Sequence, residues 1–355
     1  MKKRVAVAMS GGVDSSVAAL LLKRQGYDVT GITMCFGIPA SKRRKPACCG
    51  AQGINDARRV ARKLKIRHFV LNFGKELERL VINDFLSEYS LGRTPNPCIR
   101  CNQFIKFDML LKRVLALGIG SLATGHYARI VKTRDGFRLK KGKDRRKDQS
   151  YFLYRLSQRQ MQHIIFPLGG YSKLQVRRLA KRFALPVADK RASQEICFFP
   201  QDDYRGFLRQ RLKGKLKSGP IVGKGGDILA RHRGIALYTI GQRSGLGIAR
   251  GYPVYVTKIE PKGNRIVVGR REDACKRVFL IGDKHFIAEP LKKKVVLSAR
   301  IRYNQKQVAA TLVPLGGKIR VEFEQPQFAI TPGQSAVFYD QDTVVGGGII
   351  DRVIV

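Results

Sequence analysis

The 355-residue sequence contains no run of the ~18 apolar residues that a membrane-crossing helix needs, so no membrane partner and a cytoplasmic location are expected. Its N-terminal MKKRVAVAMSGG begins like a secretory signal, but the apolar run stops after five residues at a polar glycine turn. Acidic residues are scarce: 26 stand against 69 Lys and Arg, a formal net charge of +43. Such an excess attracts a polyanion, with nucleic acid the foremost candidate, although a basic host proteome could also decorate every solvated face this way. Cysteine is sparse and odd in number. Seven thiols at irregular spacing exclude a disulfide scaffold and point to reactive or metal-binding cysteines. Internal repeats and low-complexity linkers are also missing, and SKRRK at 41–45 and KKGKDRRK at 140–147 read as basic loop tips. The length and 44% hydrophobic content suffice for a large core in two or three domains.

The most informative segment is AVAMSGGVDSSVAALLL, residues 6–22, where an apolar strand enters a glycine turn and then an apolar helix. Gly11 and Gly12 lack Cβ atoms, so backbone N–H groups can close on an anion in front of the positive helix end. Ser10, Ser15 and Ser16 would add hydroxyl donors. This loop lacks the lysine that precedes Ser/Thr in the common nucleotide loop, and it is not the GxGxxG fingerprint. Its ligand is therefore expected to be a differently held phosphate.

Short apolar segments at 3–9, 28–34, 68–73 and 121–124 alternate with helical patterns near 16–25, 56–64, 76–91 and 107–117. This predicts a doubly wound parallel α/β sheet with ligands beyond the carboxyl ends of its strands, where the glycine turn and TGHYARI at 124–130 would both lie. Ser172 is placed to cap a helix running to residue 183, with Pro186 just beyond. After about residue 205 glycine-rich turns separate short segments such as YVTKIE and RIVVGR, which suggests a small, mainly β domain. From about 277 onward VVLSARIRY, AATLVPL, KIRVEFE, QSAVFYD and VVGGGIID predict a β-barrel. The expected domains are 1–204, 205–276 and 277–355, with Cys275 in the linker before the barrel.

GRTPNPCIRCN, residues 92–102, places Cys98 and Cys101 in a CxxC after two prolines, between a helix and the IKF that leads into another. The spacing suits a redox pair, half of a zinc site, or two ligands of an iron–sulfur cluster. A zinc site would have to draw on the adjacent Cys48 and Cys49, an awkward geometry. Cys35 ends a strand, and Cys197 in RASQEICFFPQ would, taken alone, be a buried core thiol.

SGGVDSS resembles the signature of the ATP pyrophosphatases, which split ATP between its α and β phosphates and adenylate a substrate oxygen; their fold is adenine nucleotide alpha hydrolase-like. Together with GRTPNPCIRCN, IKF, ATGHYAR, KDQSYFL, ICFF, YTIGQRSGLGI and TPGQSAVFY in this order, the resemblance is to the tRNA-specific 2-thiouridylases and spans nearly the whole chain. It implies adenylation of the 2-carbonyl oxygen of the wobble uridine in tRNAs for Lys, Glu and Gln, using ATP with Mg. Sulfur then replaces the oxygen, delivered from a sulfur carrier or a cysteine desulfurase, and a monomer is expected.

The resemblance makes Cys101 the nucleophile and Cys197 the persulfide carrier, with a disulfide between them left after transfer. Cys98 stands where the family often has Asp, so the acid/base role at that position is open. Either Cys98 simply substitutes, or Cys98, Cys101 and Cys197 hold three corners of an iron–sulfur cluster. By the same resemblance Ala8, Met9, Ser10, Gly11, Gly12, Val13, Asp14, Ser15, Met34 and Gly125 contact ATP. Asn96, Pro97, Cys98 and His126 lie at the target base, and Asp148, Gln149, Ser150, Arg302, Tyr303 and Gln334 contact tRNA. An arginine pairing with phosphate and a tyrosine stacking on a base fit those last roles, and a base in an anticodon loop is readily splayed out.

Three other readings compete. A thiolase of another tRNA base shares the same cradle. An amide-forming small-molecule ligase would need an ammonia source, but residue 2 is no cysteine nucleophile and no glutaminase segment is evident. An RNA-binding protein without catalysis would leave Ser10, Asp14 and the paired thiols unused. The charge excess makes a direct prediction. Affinity for tRNA should fall by on the order of tenfold or more between ~50 and ~200 mM salt, and a flat salt dependence in filter binding would place the charge away from RNA.

Overall fold

The computed structural model describes residues 2–37, 50–191, 196–199 and 203–354. The candidate zinc ligands Cys48 and Cys49 and the basic tip at 41–45 lie outside the described residues. The chain divides into two compact units: residues 1–81, 98–202 and 342–344 form the first, and 82–97, 203–341 and 345–355 the second.

In the first unit β1 (Arg4–Ala8), β2 (Asp28–Cys35), β3 (Arg67–Asn72), β4 (Ser121–Ala123) and β7 (Ile164–Ile165) form a parallel sheet in the order β3-β2-β1-β4-β7. The chain builds outward from β1 through β2 to β3, then returns to the other side of β1 with β4. The carboxyl end of β1 is therefore the topological switch point, where open α/β sheets bind ligands. Helix α1 (Val13–Arg24) follows it directly, and nine of its twelve residues are buried, so it serves as a core helix apolar nearly all round. Val17, Ala18 and Leu21 pack with Val5, Val7, Val176 and Ala180 in one cluster. Helix α2 (Ala51–Lys63) turns Ala57, Val60 and Ala61 inward and its arginines outward.

The first helix, patterned near 16–25 in the sequence, starts earlier. It begins at Val13, so Asp14, Ser15 and Ser16 occupy its first turn. Ser172 does cap the helix Lys173–Arg182, in a capping box with Gln175 that satisfies two backbone donors reciprocally. The segment 124–130 is a bend leading into an unanticipated hairpin, β5 (Ala128–Thr133) with β6 (Gly136–Lys141).

In the second unit β8 (Gly219–Val222), β9 (Ile228–His232), β10 (Tyr255–Glu260) and β11 (Arg265–Gly269) form one sheet in the order β10-β11-β8-β9. The barrel comprises β12 (Cys275–Phe286), β13 (Val295–Arg300), β14 (Val308–Leu315), β15 (Lys318–Phe328), β16 (Ser335–Asp340) and β17 (Thr343–Val353). These run β12-β15-β14-β13-β16-β17, and β12 pairs with β17 to close the ring. Phe279, Ile281, Leu312, Val321, Phe323 and Phe338 fill it. Cys275 is not in a linker. It is the first residue of β12, paired with Phe328 of β15.

Two glycines bring the backbone of the first unit into close packing around the switch point. Gly11 has φ +70°, and a Cβ there would collide with the Gly53 carbonyl of α2. A Cβ on Gly125 would stand 2.8 Å from the Ser15 nitrogen and 2.9 Å from the Asp14 carbonyl carbon. Gly125→Ala should therefore push the end of β4 away from the loop and lower stability by about 1–3 kcal/mol, the usual cost of overpacking. An unchanged denaturation midpoint would show that the approach is not tight.

Candidate active site

The loop 9–12 joins β1 to α1 beside the ends of β2 and β4, so Ala8, Met9, Met34 and Gly125 lie at the carboxyl ends of three adjacent strands. Gly12 is the N-cap residue of α1 in an extended conformation. The serine hydroxyls behave differently from expectation. Ser15 Oγ accepts from the Ser10 N–H at 3.1 Å and donates to Gly12 O at 3.2 Å, while Ser16 Oγ donates to that same carbonyl at 2.8 Å. They fix the shape of the turn, and the N-terminal N–H groups of α1 are the donors of the kind that can hold an anion there.

Side chains remote in sequence complete the loop. Lys173 Nζ donates to both carboxylate oxygens of Asp14, at 2.6 and 2.7 Å, and Tyr127 Oη donates to Asp14 Oδ1 at 2.7 Å. Burial and the adjacent Asp14 carboxylate push the Tyr127 phenol up, so it remains a donor. Lys190 Nζ donates to Gly11 O at 3.0 Å and to the buried Asp56 Oδ2 at 2.7 Å. The Gly11 carbonyl is thereby tied to an ammonium group.

The CxxC lies within a helix and not beside one. Pro97–Arg100 forms an α-helical turn, a suitable place for proline at the first helical position, and Cys101–Leu110 continues as a π-helix. With its wider turn the π-helix brings residues five apart onto one face, so Lys106 of IKF follows Cys101 on that face. Lys106 Nζ donates to Asn102 Oδ1 at 2.9 Å, and Asn102 Nδ2 donates to the Phe152 carbonyl at 3.1 Å.

Cys98, Cys101 and Cys197 lie near enough to act on one another electrostatically. Burial, then the charge of Cys197, pushes the Cys98 thiol up to about 12; Lys106 opposes the shift and Cys101 adds to it. Burial also pushes the Cys101 thiol up, against the pull of Lys106 and with a further push from Cys197. No disulfide joins the three. His126 is held well below its ordinary value by burial and by Lys106, so its ring is neutral at pH 7. Its Nδ1 lies 2.7 Å from Thr124 Oγ1, and its ring lies 5.7 Å from that of Phe107 and 5.8 Å from that of Phe166.

Among the described residues no group of three His, Cys, Asp or Glu side chains is arranged to hold a metal ion. Cys98, Cys101 and Cys197 accordingly form no such group among the described residues.

Residues 3–201 match the family described as tRNA methyl transferase HUP domain, 205–270 the tRNA methyl transferase PRC-barrel domain, and 276–350 the aminomethyltransferase beta-barrel domain. Among curated relatives, a tRNA-specific 2-thiouridylase of Moorella thermoacetica is 49% identical over 98% of this chain and 99% of its own. Proteins of that description from Caldanaerobacter subterraneus and Clostridium botulinum are each 47% identical, over 100% and 99% of this chain and 99% of their own. The chain belongs to the tRNA-specific 2-thiouridylase family. A solved 4-thiouridine synthetase–RNA complex with bound ATP aligns at 15% identity and a TM-score of 0.33, over 60% of this chain and 51% of that one, too distant to bear on function.

Several positions that the 2-thiouridylase resemblance assigns to tRNA are engaged internally. Asp148, buried, accepts from the Gly142 and Ser150 N–H groups and from Ser150 Oγ. Gln149 Oε1 accepts from the Tyr127 N–H and so fixes the Gly125–Tyr127 bend. Arg302 donates to Ile240 O and Thr331 Oγ1, so its guanidinium already has partners within the second unit, and Tyr303 is half-buried. Gln334 Nε2 donates to Thr94 O at 2.8 Å and holds the segment that ends in Asn96 and Pro97. Reading the sequence missed Lys106, Lys173, Lys190, Asp56 and Tyr127. Lys106 lies in IKF and Tyr127 in ATGHYAR, whereas the other two lysines have no local signal among 69 basic residues.

The raised thiols give a measurable signature. In the Cys98→Ser protein, iodoacetamide labelling of Cys101 should keep rising by about tenfold per pH unit beyond pH ~9, where an ordinary thiol levels off. Lys106→Met should slow it further at any fixed pH, because the lost cation favoured the thiolate. A plateau below pH ~9 would contradict this electrostatic account.

Proposed function

We infer that this protein is a tRNA-uridine 2-sulfurtransferase that uses ATP with Mg to adenylate the 2-carbonyl oxygen of the wobble uridine in tRNAs for Lys, Glu and Gln. The observation that carries this reading is an anion cradle and a grouped set of thiols in one unit of a chain matched over its full length by relatives named tRNA-specific 2-thiouridylase. The uracil C2 oxygen is a poor leaving group. Adenylation makes AMP the leaving group and pyrophosphate the first product, which the cradle between Met9 and α1 suits. Asp14, the loop's only carboxylate, would be the hard oxygen donor for Mg²⁺ accompanying ATP, which would screen the phosphate charges.

Cys197 carries the persulfide delivered by a sulfur carrier or cysteine desulfurase. In one route its terminal sulfur attacks C2, AMP leaves, and the Cys101 thiolate then attacks Cys197 Sγ to release 2-thiouridine. In the other, Cys101 attacks Cys197 Sγ first, and the hydrosulfide released displaces AMP. Both routes end in a Cys101–Cys197 disulfide that a dithiol reductant reopens. Cys101 must lose its proton in either route, and Lys106 lowers the cost of the anion that results. The neutral His126, half-buried against the buried rings of Phe107 and Phe166, is the ring there that a flipped uracil would meet.

The ATP contacts at Ala8, Met9, Ser10, Gly11, Gly12, Val13, Asp14, Ser15, Met34 and Gly125 and the base contacts at Asn96, Pro97 and Cys98 belong to this proposal, as does the division at 204 and 276. So do tRNA contacts through Asp148, Gln149, Ser150, Arg302, Tyr303 and Gln334. No described helix is long and apolar enough to cross a membrane, and the reading places a monomer in the cytoplasm with its tRNA.

The test is nucleoside mass spectrometry of glutamate, glutamine and lysine tRNAs after anaerobic incubation with ATP, sulfide and iron-free protein. We expect 2-thiouridine and pyrophosphate. With a persulfide donor in place of sulfide, Cys197→Ser should stop thiolation and leave pyrophosphate release measurable. Wild-type protein that forms no 2-thiouridine on any of these tRNAs would overturn the assignment.

A further inference from the structure

We propose that Lys173 is a pyrophosphate-binding residue of the cradle, supplying from the helix Lys173–Arg182 the ammonium group that the SGGVDSS loop itself lacks. The inference rests on the ATP reading above and assigns a role to a residue outside the loop. Three observations converge on it.

First, the loop has no lysine of its own, so backbone N–H groups and a helix end would face a polyphosphate without a fixed cation. Neutralising several phosphate charges by dipoles alone leaves much of the repulsion standing, and charge-assisted hydrogen bonds are the stronger kind. Second, the fold delivers an ammonium group to the loop from 159 residues downstream. Lys173 Nζ sits 2.6 and 2.7 Å from the two oxygens of Asp14, in the first turn of α1, with its side chain 15% exposed. Its backbone N–H is bonded to Asp144 Oδ2 at 2.9 Å, which fixes where the side chain starts.

Third, Asp14 does not depend on Lys173 alone. Tyr127 Oη also donates to Asp14 Oδ1, at 2.7 Å, so the carboxylate keeps a hydrogen bond when the ammonium turns to a phosphate oxygen. The exchange replaces one ion pair by another; Oδ2 gives up its bond to Lys173, but the Asp14 side chain is 33% exposed and solvent can meet that oxygen. Lys190 is differently situated. Both of its acceptors, the Gly11 carbonyl and the buried Asp56, belong to the frame of the loop, and it is a strut. The two lysines thus divide the work: one holds the loop's shape, and the other meets the ligand.

The experiment is calorimetric titration of the full-length protein with inorganic pyrophosphate, ATP and AMP, for wild type, Lys173→Met and Lys173→Arg. Lys173→Met should weaken pyrophosphate and ATP by about tenfold or more and leave AMP within about twofold. Lys173→Arg should recover part of the pyrophosphate affinity. Equal losses for all three ligands would make Lys173 a strut like Lys190 and overturn the proposal, as would unchanged pyrophosphate binding. A thermal melt separates loss of folding from loss of binding, because Lys173→Arg retains the charge and keeps the native midpoint. Wild-type protein that binds none of the three ligands would instead overturn the ATP reading on which the proposal stands.

Discussion

The close approach of three backbones at the end of β1 is the constraint on which the site depends. Gly11 lies against the Gly53 carbonyl of α2, and Gly125 lies against the Asp14 and Ser15 backbone. No side chain larger than hydrogen fits at either position, so the loop is gripped from both sides before any ligand arrives. Lys190 adds an electrostatic tie by holding the Gly11 carbonyl against buried Asp56. A turn held in this way presents its N–H groups in a fixed geometry, and binding need not then order it.

The thiol centre follows the opposite logic. Its groups are held together but kept protonated, because burial and mutual repulsion raise Cys98 and Cys101 and only Lys106 works against both. The wider turn of the π-helical stretch brings Lys106 nearer to the face of Cys101 than an ordinary α-helix would. That irregularity stores function in the backbone itself. A protonated resting thiol also resists oxidation.

The large positive charge acts on a different scale. Sixty-nine basic side chains over the molecule create a field that draws in any polyanion, whereas recognition must come from a few positions with defined partners. Arg302 and Gln334 show the distinction. Both make hydrogen bonds inside the second unit, so each has defined partners there before any polyanion is drawn in.

The sequence by itself determined the βα alternation, the cradle string and its position after the first strand, the cap at Ser172, and most barrel strands. These are local patterns: periodicity, glycine turns, and capping residues three apart. It also determined the family, because eight motifs in order are a one-dimensional property. Tertiary structure alone decided what each polar side chain near the loop does. Ser15 and Ser16 look like ligand donors in the string, but the early helix start turns their hydroxyls onto Gly12 O. Lys173 and Lys190 reach the loop across 159 and 179 residues, and nothing local marks them in so basic a chain. Cys275 passed for a linker residue because β12 opens on CKR, whose polarity hides a strand that only pairing with β15 and β17 reveals. Backbone propensity is written in neighbours along the chain, whereas the charge and hydrogen-bond partners of a site are set by which distant segments the fold brings together.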